Sequence, residues 1–286
     1  MEIVTKIAPI ALALMMLGLG TSLTISDFSR VIKNPKNFFV GLICQLILLP
    51  IIAFALIKLL NTPAELAVGV MIIAAAPGGV TSNIYTKFAN GDVALSISLT
   101  AIISLISIIT VPFIVFKSAE ILEVSFVSKD ISMIVISIKM FFVVTVPVII
   151  GMVIRKFFND YIVLKSSLIT KVSVILFIIV LFGIYISEWD NIILFFASAG
   201  LITTTLNITM MIIGYYVAKI FATGIAQQKC IALECGLQNG TLAVFIATQL
   251  GSEVGVLSPL IVPTAAYGFV MFATSLIFLF VIKKNT

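Results

Sequence analysis

The chain is 286 residues long, 61% hydrophobic and only 10% charged, with no histidine and a formal net charge of +5; its mean hydropathy is +1.28. A soluble domain carries roughly 25% charged residues, so there is too little polar surface here for a globule in water, and the lipid bilayer is the expected partner. The lack of histidine excludes His-based catalysis, His metal ligation and a His proton relay, and the basic residues fall in short runs between apolar stretches, an orientation signal and not a nucleic-acid patch.

Apolar runs of about 20 residues, enough to cross roughly 30 Å of hydrocarbon, recur near 7–26, 38–60, 65–87, 92–116, 131–154, 170–187, 191–218, 225–249 and 257–282. They predict an all-α membrane protein of about nine transmembrane helices. Helices suit such runs because backbone polar groups in lipid must be satisfied within the segment. The first run lacks a clear small-x-small cleavage site, and its positive cluster (Arg30, Lys33, Lys36) lies beyond it, so it is expected to stay as a span and not act as a signal peptide. The second run carries Gln45. The third, AVGVMIIAAAPGGVTSNIYTKF, has Pro77-Gly78-Gly79 at its middle. The fourth presents Ser96 and Thr100 one turn apart, continued by Ser104 and Ser107 on the same face. The fifth contains Lys139, which could offer a full charge or snorkel to the outer boundary about two turns away. The eighth, IALECGLQNGTLAVFIA, holds Glu234, Gly236, Gln238, Asn239 and Gly240. Cys44, Cys230 and Cys235 are odd in number and sit inside apolar runs, which argues against a disulfide framework or a cysteine metal site.

One set of connections holds Arg30, Lys33, Lys36, Lys87, Arg155, Lys156, Lys165, Lys171, Lys219, Lys229, Lys283 and Lys284. The opposite set holds Lys6, Lys58, Lys117 and Lys129 beside Glu65, Glu120, Glu123, Asp130, Glu188, Asp190 and Glu253. The positive-inside rule puts the first set in the cytoplasm. The N-terminus is then outside and the C-terminus cytoplasmic, in a multi-pass protein of the inner (cytoplasmic) membrane.

Proline removes a helical hydrogen bond and glycine tolerates positive φ, so the third and eighth spans are expected to unwind in mid-membrane, at 77–79 and 235–240. Their surroundings match. Gly91-Asp92-Val93-Ala94-Leu95-Ser96 follows the third, and Ser252-Glu253-Val254-Gly255-Val256-Leu257-Ser258 follows the eighth. The two copies run in opposite directions. An inverted repeat with paired broken helices points to the binding site of a secondary transporter.

Glu234 is the carboxylate placed well inside a span, where a charge costs at least ~2.5–3.5 kcal/mol unless paired or ligating an ion. It is read as a cation ligand or proton carrier, against the alternative of a protonated, hydrogen-bonded structural acid. Around it are neutral oxygen donors: Thr81, Ser82, Asn83, Ser96, Thr100, Gln45 and Gln238. Such a set suits a hard monovalent cation, since Ca²⁺ usually recruits more carboxylates and Zn²⁺ wants Cys or His. Back-bonding within an ordinary helix is the competing account of the Ser/Thr stripe. The N-terminal ends of both second half-helices, near Val80 and Asn239, aim partial positive charge at the midplane and favour an anionic substrate.

These segments resemble the bile acid:sodium symporter family. The likeness is carried by PGGVTSN, GDVALS and Thr100 in one repeat, by ECGLQNG in the other, and by Gln45 in the second span. The resemblance implies two crossing broken helices with two sodium ions behind the crossing. One ion would lie at Ser82, Asn83, Ser96, Thr100 and Glu234. The other would use Gln45, Glu234, Gln238 and the carbonyls of Cys235 and Leu237. Thr81, Asn239 and Gly240 would face the substrate, with no organic cofactor. It also implies a core domain (37–129 and 191–286, spans two to four and seven to nine) and a panel domain (1–36 and 130–190, spans one, five and six). The chain begins one helix later than ten-helix bacterial members, a nine-helix form like the animal bile acid carriers. The expected function is sodium-coupled symport of a small organic anion, bile acid-like or carboxylate, by alternating access, in a monomer. The alternative is a proton-coupled organic-acid transporter or exporter of the same fold. An arsenite-type permease fits less well, because Ala74-Ala75-Ala76 precede Pro77 where a reactive cysteine would be needed. An enzyme is not expected, since paired aspartates, a Ser–His pair and a zinc motif are all missing. A channel or sensor remains open to the sequence.

Overall fold

The computed structural model describes residues 2–33, 35–124, 132–187, 189, 192–221, 224–254 and 257–283. The named elements among them are all helical: α1 (Glu2–Ser22), α2 (Ile25–Lys33), α3 (Pro35–Leu59), α4 (Ala64–Ala75), α5 (Val80–Phe88), α6 (Val93–Ile121), α7 (Met133–Phe157), α8 (Asn159–Ser187), α9 (Ile192–Phe221), α10 (Ile225–Gly236), α11 (Gly240–Val254) and α12 (Leu257–Lys283). Six of them, α3, α6, α7, α8, α9 and α12, are long and apolar enough to cross a membrane. The shorter apolar helices are Lys6–Ser22, Ala64–Ala75 and Gly240–Gly251. The chain is a multi-pass membrane protein. Exposed large side chains such as Ile109, Phe142, Leu164, Phe182 and Ile277 face outward where lipid would lie.

The first span ends at Ser22, short of the expected 26. The chain turns there into α2, an amphipathic helix whose first turn reaches back to Thr24: Asp27 Oδ2 accepts from Thr24 N (2.8 Å) and from Thr24 Oγ1 (2.7 Å), one half of a capping box. The sixth span starts at Asn159, ahead of the expected 170. Both α3 and α7 contain a π-helical turn, Cys44–Leu48 and Phe141–Thr145, in each case two residues ahead of a proline, Pro50 and Pro147. A proline ring crowds the carbonyl one turn earlier, and a widened turn is one way to relieve it. In α3 that widened turn carries Gln45.

The two predicted breaks are present. The first runs from Ala76 to Gly79, where Ala76 is extended (ψ 148°), as the residue before a proline tends to be. The second is narrower than expected, at 237–239, because Cys235 and Gly236 are still helical. The breaks meet and pair antiparallel at Gly78 and Gln238, with Gly79 N donating to Leu237 O and Asn239 N to Pro77 O, both at 2.8 Å. Backbone released from helix within a membrane is tolerated only where protein satisfies it. Here each break satisfies the other.

Packing places these breaks at the centre. All of Ala67–Ala76 in and after α4 is buried, as is Lys229–Gly236 in α10. α4 packs on α6 and α12, α10 on α9 and α6, and α11 on α12, while α1 packs along α7 and α8. Lys229 differs from the expectation of a cytoplasmic loop charge. It is 2% exposed, and its Nζ donates to Ala89 O at 3.1 Å. Its end of α10 still lies beside the 89–92 turn, since Asp92 N donates to Ala226 O and Gln227 Nε2 to Asp92 Oδ2. The proposed repeat partner of that turn, Ser252 to Ser258, the acidic Asp130, Glu188, Asp190 and Glu253, and the basic Arg30, Lys33, Lys129, Lys283 and Lys284 have side chains outside the described residues.

Candidate functional site

Glu234 occupies the last turn of α10, fully buried, with its carboxylate against the opposite break. A Cβ at Gly78 would collide with Glu234 Oε2 and stand 3.5 Å from Thr100 Oγ1, so this position needs glycine for close approach. Glu234 Oε1 accepts from Ser82 Oγ, from Ser96 Oγ at 2.5 Å and from Thr100 Oγ1 at 3.2 Å. Its Oε2 accepts from Gln45 Nε2 at 3.1 Å and lies 3.1 Å from Thr100 Oγ1. Four elements therefore converge on one acid: α3, α5, α6 and α10.

The oxygens outnumber the protons available to bridge them. Ser82 Oγ also lies 2.7 Å from Gly79 O, and Ser96 Oγ 2.7 Å from Asn83 Oδ1. A hydroxyl has one proton to donate. Each serine thus faces two acceptors and can satisfy one. Turning over the Asn83 amide would relieve Ser96. For Ser82 the relief must come from positive charge at the carboxylate, a proton or a cation.

The amides make a sharper case. Gln45 Nε2 is directed at the Glu234 carboxylate, and Gln238 Nε2 at Cys235 O (2.9 Å) and Glu234 O (3.3 Å). The two backbone carbonyls fix which end of the Gln238 amide is nitrogen, and an ionised Glu234 does the same for Gln45. The other ends, Gln45 Oε1 and Gln238 Oε1, are buried with no hydrogen-bond partner among the described residues. An unpaired buried carbonyl costs ~1–3 kcal/mol. The two glutamines bond Glu234 at its carboxylate and at its backbone carbonyl respectively, and a hard cation would complete the oxygens they leave open. Among the described residues, no three His, Cys, Asp or Glu side chains gather into a conventional metal cluster. Of the carbonyls predicted to join Gln45 and Gln238, that of Leu237 accepts from Gly79 N and that of Cys235 from Gln238 Nε2. Each keeps a second lone pair.

Ser104 and Ser107 do not join the cluster. Their hydroxyls donate at 2.6 Å to Thr100 O and Ser104 O of their own helix, so back-bonding accounts for that half of the stripe. On the far side of the crossing, Thr81, Asn239 and Gly240 line a void of about 10 Å³ together with Met15, Ser173 and Phe177, room for about one water. Asn239 Oδ1 accepts from Leu242 N at 3.0 Å and caps α11, leaving its amide nitrogen as the group that could meet an anion. The Phe177 ring seals the cleft, 2.7 Å from where a Cβ on Gly240 would stand. Lys139 is half-buried on α7.

A second buried polar group went unread in the sequence. Gly236 O, the carbonyl that ends α10, accepts from Asn207 Nδ2 (2.7 Å) and from Tyr267 OH (3.0 Å), and Thr274 Oγ1 donates to Asn207 Oδ1 at 2.5 Å. An asparagine and a tyrosine in mid-span are the signal that could have found it. This clasp from α9 and α12 holds the broken end of α10 two residues from Glu234.

Compared with known families, residues 9–195 match the sodium bile acid symporter family. The chain is 32% identical over 244 residues to an uncharacterized sodium-dependent transporter, YocS, of Bacillus subtilis, covering 84% of this chain and 73% of that protein. It is 30% identical over 241 residues to the probable chloroplastic sodium/metabolite cotransporter BASS1 of Arabidopsis thaliana, again 84% of this chain but 58% of the plant protein. It is 28% identical over 249 residues to the mouse ileal sodium/bile acid cotransporter, covering 84% of this chain and 68% of the mouse one.

Proposed function

Since this chain belongs to the sodium bile acid symporter family, we propose that it is a sodium-coupled symporter of a small organic anion, with Glu234 as the shared ligand of two sodium ions. The observation that carries the reading is a buried carboxylate crowded by hydroxyls, with partnerless amide oxygens on two glutamines that both bond Glu234, Gln45 at its carboxylate and Gln238 at its backbone carbonyl. Sodium here is cargo. The first ion is assigned to Ser82, Asn83, Ser96, Thr100 and Glu234, and the second to Gln45, Glu234, Gln238 and the carbonyls of Cys235 and Leu237.

Taking each broken pair, α4–α5 and α10–α11, as one crossing and α1 as another gives nine spans. The N-terminus then lies outside and the C-terminus in the cytoplasm of the inner membrane, with the two broken spans as inverted repeats. The packing of α1 on α7 and α8 supports treating these three as a panel that moves against the rest. The substrate cleft lies between the panel residues Met15 and Phe177 and the half-helix starts at Val80 and Gly240. Apolar walls beside two helix N-termini suit an amphipathic anion. At about 10 Å³ the cleft is closed, so panel movement must open it. Two Na⁺ with a monoanion carry net +1, adding roughly 2.3 kcal/mol per 100 mV to the sodium gradients.

A proton on Glu234 would relieve the Ser82 contact, which is why proton coupling stands as the second reading. It would leave the Gln238 amide oxygen unpaired. Proteoliposomes separate the two: candidate organic acids, first chosen by thermal-shift screening with and without sodium, should enter under an inward sodium gradient at constant pH. Full uptake driven by a pH jump in sodium-free buffer would overturn sodium coupling.

A further inference from the structure

Away from the ion site, the turn between α1 and α2 and the C-terminal end of α7 form a groove of about 500 Å³, within the roughly 300–1,000 Å³ typical of small-molecule sites. Its walls include Ile25, Ile149 and Val153, each with about half or more of its surface exposed. Its polar end is made by Arg155 and Lys156 in the last turn of α7, with Thr24 opposite. Arg155 Nη1 donates to Thr21 O at 3.2 Å, a carbonyl left open by the end of α1. That bond fixes the guanidinium at the groove, yet its Nε is buried with no partner among the described residues. Two acids close by in the sequence are turned elsewhere: Asp27 caps α2 through Thr24, and Asp160 accepts from Asn159 Nδ2 at 3.1 Å.

We infer that this groove holds one anionic phospholipid, its phosphate on Arg155 and Lys156 and an acyl chain along Ile25, Ile149 and Val153. The argument is one of charge and depth. An apolar trough that opens to lipid and ends in two cations matches a molecule with a phosphate at one end and hydrocarbon at the other. A soluble anion would leave the trough walls uncovered, and a zwitterionic lipid would bring a second cation up to Arg155. The cytoplasmic leaflet, where the basic connections place this end of α7, is the one rich in anionic lipid.

Native mass spectrometry of the full-length, delipidated protein tests this with phosphatidylglycerol, phosphatidylcholine and inorganic phosphate offered separately. One phosphatidylglycerol should be retained per chain in preference to phosphatidylcholine, with no comparable retention or thermal stabilisation by phosphate. Lys156→Gln, at an exposed position, should weaken phosphatidylglycerol roughly fivefold, the effect of one basic residue at a membrane surface. Val153→Trp should weaken it with both cations intact. Arg155→Gln should do the most, but it also removes the tie to α1, so the other two variants are the decisive ones. Equal retention of phosphatidylcholine, stabilisation by phosphate alone, or wild-type phosphatidylglycerol binding in both Lys156→Gln and Val153→Trp would overturn the assignment. None of these outcomes touches the transport reading.

Discussion

Replacing Glu234 by glutamine tests the site without changing its shape. The carboxylate lies among hydroxyls of Ser82, Ser96 and Thr100 and the Gln45 amide. An amide nitrogen at the Oε1 position could donate to Ser82 or Ser96, freeing their protons for Gly79 O and Asn83 Oδ1 at the 2.7 Å contacts already in place. The hydroxyl contacts would then be satisfied without a cation, leaving the Gln45 and Gln238 amide oxygens as they are, and a mid-membrane charge worth at least ~2.5–3.5 kcal/mol would be gone. The variant should therefore unfold at a higher temperature than wild type in potassium or choline chloride. What it loses is the attraction for sodium. A unit charge about 4 Å away contributes ~4 kcal/mol at an effective dielectric of 20, nearly a thousandfold in affinity. Wild type at sodium a hundredfold above its dissociation constant should gain ~2.7 kcal/mol per site, and Glu234→Gln almost nothing. Differential scanning fluorimetry at fixed ionic strength, sodium against potassium, measures both quantities. A sodium-specific shift of wild-type size in Glu234→Gln would refute the assignment of the carboxylate as ligand.

The serine stripe gives a paired comparison. Ser96→Ala removes a hydroxyl 2.5 Å from Glu234 and should weaken sodium at least tenfold, the worth of one hydrogen bond to a charge, whereas Ser104→Ala and Ser107→Ala should leave sodium titrations of fluorescence or uptake unchanged. Gly78→Ala places a methyl group on Glu234 Oε2. At ~1–3 kcal/mol of overpacking it should still insert and fold, with sodium-driven uptake lost, and normal uptake would contradict the close approach. Asn207→Leu leaves Gly236 O with Tyr267 alone and turns the Thr274 hydroxyl back to Val270 O of its own helix. It should cost ~1–3 kcal/mol in thermal stability and raise the sodium concentration for half-maximal uptake, while Tyr216→Leu, at a lipid-exposed position of the same helix, should do neither.

Much of this site was legible because its chemistry is locally written. Pro77-Gly78-Gly79 names its own break, and Glu234 in an apolar run names its own cost. The second break was drawn too wide because Gly236 reads as a helix breaker, yet two side-chain donors to its carbonyl keep it as the last helical residue. Ser96 and Ser104 look alike on a helical wheel. Whether a hydroxyl faces a distant carboxylate or its own backbone depends on what the neighbouring helix brings within reach, and no periodicity encodes that. Lys229 was misplaced for a similar reason: a lysine near a span boundary reads as a loop charge until Ala89 is seen to accept from it. The π-helical turn that carries Gln45 follows from Pro50, but a proline near a span's middle predicts disturbance without saying which turn will widen.

The pairing of the two breaks also bears on how the chain is made. Ser82 and the acid it serves are 152 residues apart, and Pro77 O and Gly79 N have their partners only in residues 237–239. While a ribosome is still synthesising the later half, the third span must wait in the translocon or at the membrane surface with its opened backbone unmatched. A nascent chain halted before residue 237 can thread its early helices but cannot finish that one, so maturation waits on the synthesis of residues 237–239. Quality control that senses exposed peptide groups within the bilayer would have this crossing as its natural checkpoint.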